Sequence, residues 1–300
     1  MTRRTLALIA LCSWFGFIAA TPVRAQTTSA AAAASTNAVQ ASPAADDDDD
    51  AKLRLLEPDF DVINLPTTLP LPVHGGDFHL LHRFAGNLRK GDFGDNLGSL
   101  FGIDQGATMS FEYRFGVMKH LEAIAARTNF DRNIQFSAKY DVFHQDASHP
   151  VGASVIVSVE GGNNFRRDYA PAIGASISRT VLDKIAVYID PFFAHNTAAA
   201  TGIDQDTGFV GFGARGRLSW RSLPSSSVIN DTFVVFEVTP RLGGYAPGDA
   251  EYAFGIEKRI GGHVFSLVFA NASGSTYGQL ARGGFPESLY LGFNLSRKFF

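Results

Sequence analysis

The chain has 300 residues, with 30 glycines, 26 phenylalanines, and 26 basic against 29 acidic side chains for a formal charge of −3. That length holds one large β-barrel or two modest domains, and the mild acidity excludes a nucleic-acid surface, which needs a concentrated basic patch. Cys12 is the single cysteine, so the rest of the chain has no disulfide or thiolate chemistry, and beyond the N-terminus no apolar run of about 18 residues offers a transmembrane helix.

Residues 1–25 read as a signal peptide. Arg3 and Arg4 open it, an apolar stretch follows, and Val23-Arg24-Ala25 places small residues at a cleavage site. The alternative is an uncleaved anchor. Cleavage near Ala25 removes three arginines and no acid, taking the formal charge from −3 to −6.

Residues 26–50 are a disordered tether rich in Ala, Ser and Asp, ending in aspartates at 46–50. Such a composition cannot build a core, and consecutive like charges repel. A calcium loop would need oxygen ligands on defined turns with a glycine, and that frame is missing. Residues 51–76 carry Pro58, Pro66, Pro70 and Pro72. Proline at this density rejects a central strand and a long helix, while the apolar run at 64–73 is too greasy for a wet linker. It is either a periplasmic segment or a plug.

From residue 77 to 300 the period is two. In the stretch 107–117, Ala107, Met109, Phe111, Tyr113, Phe115 and Val117 share one face, against Thr108, Ser110, Glu112, Arg114 and Gly116 on the other. The expected strands are 77–84, 106–116, 120–128, 133–143, 151–160, 169–180, 185–193, 208–220, 231–241, 251–259, 263–271 and 288–299. The fold class is thus all-β: a single antiparallel transmembrane β-barrel of about 12 strands, within a range of 10–14, apolar outside and polar inside. Tight turns are expected at 117–120, 183–184 and 260–262. With a periplasmic N-terminus, 87–105, 145–150, 195–207, 243–249 and 272–287 are expected outside, and 161–168 and 222–230 in the periplasm. The brief apolar piece at 97–101 reads as a helical turn or a loop packed on a rim.

The last strand alternates cleanly. Leu289, Leu291, Phe293, Leu295 and Phe299 share a face, interrupted by Arg297, and the chain stops at Phe300. A terminal aromatic closing an alternating strand resembles the signal read by the barrel-assembly machinery, which is therefore an expected partner together with the lipid bilayer. Tyr113, Phe115, Tyr188, Trp220, Tyr252 and Phe299, near strand ends, are the expected interface aromatics. Glu112, Arg114, Lys139, Arg215, Arg217, Glu237, Arg241, Glu257 and Arg259, along with Glu122, are the candidate lumen charges.

His82-Arg83-Phe84, the stretch from Leu100 to Gly106, Tyr113-Arg-Phe-Gly116 and Ala138-Lys-Tyr140 resemble an uncharacterised bacterial outer-membrane-type β-barrel family carrying a domain-of-unknown-function label. The likeness covers residues 74–300. It implies a signal peptide, a barrel of this size and a site in the bacterial cell outer membrane, and no activity.

No chemistry-bearing motif stands out. His79 and His82 point to opposite faces of a strand, so no zinc set forms there, and no metal ligand or catalytic residue is assigned. Haem attachment, a dinucleotide fingerprint and a nucleophile elbow are missing, and no cofactor is expected. The close glycines between Gly211 and Gly216 read as barrel glycines that permit curvature or the close approach of a side chain. The inward charges suit a passive pore or binding protein for small polar solutes. They equally suit a closed structural or adaptor barrel engaging another envelope protein. A rim-type lipid hydrolase is a third reading; the first two include no enzyme.

Overall fold

The computed structural model describes residues 57–300 apart from 147, 182–183, 198–204, 219–230 and 245–248. The signal peptide, the tether, residues 51–56, Trp220 and the connection at 222–230 lie outside the described residues.

Twelve strands form one closed antiparallel ring. They are β1 (Gly76–Asn87), β2 (Ala107–Met118), β3 (Leu121–Thr128), β4 (Ile134–Phe143), β5 (Gly152–Gly161), β6 (Arg167–Val181), β7 (Ile185–Ala194), β8 (Thr207–Arg217), β9 (Thr232–Thr239), β10 (Glu251–Ile260), β11 (His263–Ala270) and β12 (Tyr290–Phe299). A three-residue piece, Arg241–Gly243, continues β9 past Pro240 and stays on β8. Each strand pairs with its neighbour in sequence. First and last strands close the ring with Leu80 opposite Leu295 and His82 opposite Phe293. Closure satisfies every ladder within the sheet, the condition for crossing lipid with strands. None of the described helices is long and apolar enough to cross a membrane.

The alternation sorts side chains as expected. On β2, Phe111, Tyr113 and Phe115 are 47, 47 and 38% exposed, while Ser110 and Arg114 are buried. Val155 and Val157 of β5, Val187 and Ile189 of β7 and Phe254 and Ile256 of β10 extend the same exposed apolar belt. A continuous band of this size around a soluble protein would drive aggregation; around a barrel it meets acyl chains.

Strand direction fixes which loops share an end. The tight turns at 118–121 and 260–263 lie at the end holding Gly76 and Phe299, which marks it as periplasmic; Asp183 of the turn expected at 183–184 lies outside the described residues. Two loop expectations are corrected. The connection at 143–152 follows a descending strand and is periplasmic, and the one at 161–167 follows an ascending strand and faces outside. Length alone misassigned both, because neither is long or tight. The segment at 97–101 belongs to a short helix, Phe93–Gly98, followed by a 3₁₀ stretch, Leu100–Gln105.

Candidate functional site

The lumen is filled from both ends. Residues 57–75 enter from the periplasmic mouth, turn at mid-lumen and leave by the same mouth. Thr67 N–H donates to the Phe60 carbonyl (2.8 Å), Val62 N–H donates to the Leu65 carbonyl (2.7 Å), and Asp61 bridges to Pro66, so the segment is a hairpin. Its prolines deny it a regular ladder, leaving carbonyls that need other donors. The wall supplies them. Lys139 Nζ donates to the carbonyls of Thr67 (3.1 Å) and Leu69 (2.7 Å), Ser176 to Pro66 (2.9 Å), and Lys298 to Pro58 (2.5 Å). Thr68 and Ser178 share a hydroxyl hydrogen bond.

The hairpin tip is held by one carboxylate. Glu237 accepts the consecutive backbone N–H groups of Ile63, Asn64 and Leu65 at 2.9–3.1 Å and the Asn64 amide at 2.7 Å. Glu251 accepts the same amide at 2.9 Å, and Arg83 donates to Asn64 Oδ1 (3.2 Å) and Asn294 (2.7 Å). Apolar packing completes the seat. Val62, Ile63 and Leu65 cluster with Ala186, Tyr188, Val235, Ala253, Val268 and Ala270 from the inner wall. A Cβ on Gly211 would meet Leu65 at 2.6 Å and one on Gly213 would meet Val62 at 3.1 Å, so the two inward glycines make the room the tip occupies.

Below the tip runs a charge ladder. Arg114 reaches both oxygens of Asp61 at 2.7 Å and Glu112 at 2.7 Å, with Glu122 at 3.8 Å. Lys139 pairs with Glu122 at 2.9 Å and lies 3.7 Å from Asp141. Arg215 pairs with Glu257 at 3.0 Å and donates to the Asp61 carbonyl at 2.8 Å. Phe60 sits among three cations, with Lys298, Arg114 and Lys139 at 5.0, 5.8 and 5.9 Å from its ring, where its π-face attracts each. Asp61, His79 and Glu112 offer ligand atoms within 4.8 Å of one another, but the Arg114 guanidinium already bridges the two carboxylates and supplies the positive charge a cation would.

The outer end is capped by the loop after β11. Its short helix, Tyr277–Ala281, is wholly buried. The cap is fastened to the opposite wall. Glu160 accepts Gly278 N–H (2.9 Å) and the Asn133 amide (2.8 Å), and Gln135 accepts Tyr277 N–H (2.9 Å). Arg282 pairs with Asp131 at 2.7 Å, and the Tyr277 ring stacks on Phe192 at 4.6 Å.

All nine candidate lumen charges point inward or line a mouth. Arg114, Lys139, Arg215, Glu237 and Glu257 are buried, and Glu112 joins them through Arg114. Arg217 and Arg259 both pair with Asp231 at the periplasmic rim, at 3.1 and 3.0 Å, and Arg241 donates to the Arg282 carbonyl (3.1 Å) under the outer cap. Of the expected interface aromatics, Tyr113, Phe115 and Phe299 are exposed on the belt. Tyr252 lies on the outward row at the outer rim, where its hydroxyl accepts from Arg89 at 2.8 Å. Tyr188 is corrected: it is 1% exposed and faces the lumen. On β7 the Tyr188 row is otherwise apolar, with Ala186 and Phe192, and Asp190 is the one residue in it that marks the row as inward.

The residues that receive the plugs were not anticipated. Phe192, Phe209, Phe233 and Val235 are buried and inward, and the readable signal was a second apolar row on β7 to β9. His144 stacks on His120 at 5.7 Å and His149 on Phe143 at 5.1 Å. At the same periplasmic mouth, Leu69, Pro70, Leu71, Lys119, His120 and Thr180 line a cavity of about 440 Å³. Asp146 on the adjoining loop is held below the usual aspartate range, first by the backbone N–H of His149 and then by its ring.

Three solved structures illustrate what the fold is similar to. The chain covers 75% of itself and 100% of a NanC porin at 7% identity and TM-score 0.46. It covers 77% of itself and 97% of an outer membrane channel from Pseudomonas putida F1, at 10% identity and TM-score 0.45. For the Acinetobacter baumannii outer membrane protein Omp33 the shares are 77% and 100%, at 11% identity and TM-score 0.39. No curated protein matches the chain. A family model described as membrane bound beta barrel domain (DUF5777) matches residues 59–299, and the chain therefore belongs to that family, as a β-barrel of the bacterial outer membrane.

Proposed function

We propose that this barrel is closed and acts as an adaptor, a fixed point in the outer membrane from which the N-terminal region engages another envelope protein on the periplasmic side. The observation that carries the reading is the seat of residues 57–75. The tip is clamped by Glu237, and Lys139 and Lys298 are spent on the hairpin's carbonyls. Free passage of small polar solutes needs a continuous lumen and charges that face water; these charges face one another and the plug. Glu57, the first described residue, lies at the periplasmic mouth, the side on which a periplasmic partner would be met. The reading includes no chemical step and no cofactor.

A second reading rests on a different feature. Because the hairpin enters and leaves by one mouth, it can be withdrawn without threading, and a wall carrying both charge signs would then line a path for polar solutes. Conductance of the refolded full-length protein in planar bilayers tests the first reading. Silence is expected from a barrel whose heat-modifiable migration shows it folded, together with capture of a periplasmic protein by a photo-crosslinker placed in residues 26–50. Steady discrete steps from the intact protein would overturn it.

A further inference from the structure

Residues 88–106 join β1 to β2 at the outer end. The helix Phe93–Gly98 begins on a capping box in which Asp92 and Asp95 each accept the other's backbone N–H at 3.0 Å. Phe93 and Leu97 follow the i, i+4 spacing that lines one helical face, and Leu100 follows beyond the C-cap Ser99, in left-handed backbone. They are 72, 53 and 52% exposed, Ile103 beyond them is 46% exposed, and no residue of the helix is buried.

This stripe does not hang over the mouth. Arg83 points into the lumen and Phe84 points out, its ring 6.3 Å from Phe293. Gly86 lies two residues on, within an irregularity of the β1–β12 pairing between Arg83 and Asn87, and a Cβ placed on it would meet the Gly102 Cα at 2.2 Å. The 3₁₀ stretch is therefore packed directly on the outer end of β1, the strand that carries Phe84. Arg89 fixes the base of the loop to the rim, donating to the Pro286 carbonyl (2.6 Å) and the Tyr252 hydroxyl.

We propose that this loop is a lipid anchor, with Phe93, Leu97, Leu100 and Ile103 inserting into the interfacial layer of the outer leaflet as a continuation of the apolar belt. The continuity with Phe84 and Phe293 points to lipid. A second protein is a poorer occupant, because four side chains fall short of the roughly 1,200 Å² that a stable interface buries. Water leaves the stripe unpartnered, whereas apolar side chains beside a barrel rim extend its lipid-facing belt into the boundary between headgroups and acyl chains.

The test uses the full chain with Cys12→Ser and one new cysteine at a time, Leu97→Cys, Asp95→Cys or Ile256→Cys. Each variant is spin-labelled and reconstituted in phosphatidylcholine–phosphatidylglycerol vesicles, and its fold is checked by heat-modifiable migration. The label at 97 is expected to collide several-fold more readily with oxygen than with a water-soluble nickel complex, as the mid-belt label at 256 does, with the preference reversed at 95. Equal behaviour at 97 and 95 would overturn the proposal. So would dipolar broadening between labels at 97 on separate chains, which would assign the stripe to a second copy.

Discussion

Glu237 is one side chain doing the work of a latch. It accepts three consecutive backbone N–H groups and a side-chain amide, and hydrogen bonds to a charged group contribute about 1.5–3 kcal/mol each. Replacing it with Ala leaves those donors buried without an acceptor. Glu237→Ala is expected to speed hydrogen exchange at the amides of Ile63 to Leu65 by about a hundredfold, equivalent to about 3 kcal/mol, while amides of β4 and β5 keep their protection. Unchanged protection at the tip would show that packing alone seats it. Arg215 and Glu257 invite a different design. Arg215→Met leaves a buried carboxylate unpaired and is expected to cost about 3–5 kcal/mol, while Arg215→Met combined with Glu257→Leu recovers most of it, because an apolar pair can replace a buried ionic one. The temperature at which the barrel loses its fast gel migration reads both variants, and a double variant as weak as the single would refute the pairing argument. Glu237, Arg215 and Glu257 were legible as lumen charges, since each breaks an apolar strand. Their partners were not. Asp61, Asn64 and the peptide groups of the hairpin belong to a segment whose period is irregular, and nothing local says which side chain, some 174 positions away for Ile63 and Glu237, will meet it.

Among the elements, strands were readable and inserted segments were not, for a physical reason. A lipid-facing strand is written in its own residues: the outward row must be apolar whatever the neighbours are, so β2, β4 and β12 appear at nearly their observed bounds. A plug is defined by the cavity it fills. The 57–75 hairpin has no strong local propensity, with prolines where a ladder would need N–H groups, and it takes its shape from the Gly211–Gly213 notch and the donors of Lys139 and Ser176. The cap is similar. Tyr277 looks like any loop tyrosine until Phe192 and Gln135 are placed across the lumen from it. The exit of the hairpin offers a direct check. Inward-facing Gly116 lies under Pro72, and a Cβ there would stand 2.0 Å from the Pro72 carbonyl oxygen. A backbone atom cannot swing aside as a side-chain tip can. Gly116→Val is therefore expected to displace the returning arm and open residues 69–73 to protease in a barrel that still migrates as folded. Resistance equal to the parent would mean the arm has room the geometry does not show.

At the scale of the whole molecule, the two insertions make closure redundant. The hairpin is anchored to β4, β6, β8, β9 and β12 from the periplasmic side, and the cap to β4, β5 and β7 from outside. They occupy different lengths of the lumen, with the apolar cluster around Val62 and Leu65 and the cluster around Tyr277 and Leu280 separate from each other. Removing either one leaves the other across the path. A barrel built to open by hairpin withdrawal alone would not keep a cap with a buried helix, its own ion pair and a stacked ring at the far mouth. Three versions of the protein separate the readings: one with residues 57–73 replaced by a Gly/Ser linker, one with residues 273–287 so replaced, and one with both. Each single replacement is expected to stay silent in planar bilayers, and only the double replacement is expected to show steady steps, cation-preferring or anion-preferring according to which of the freed charges dominates. Steps from the hairpin replacement alone would make the cap a loose lid and convert the closed barrel into a pore gated from the periplasm. Silence from the double replacement, in a barrel that still shows heat-modifiable migration, would mean that the Arg114, Lys139 and Arg215 ladder suffices to shut the lumen by itself.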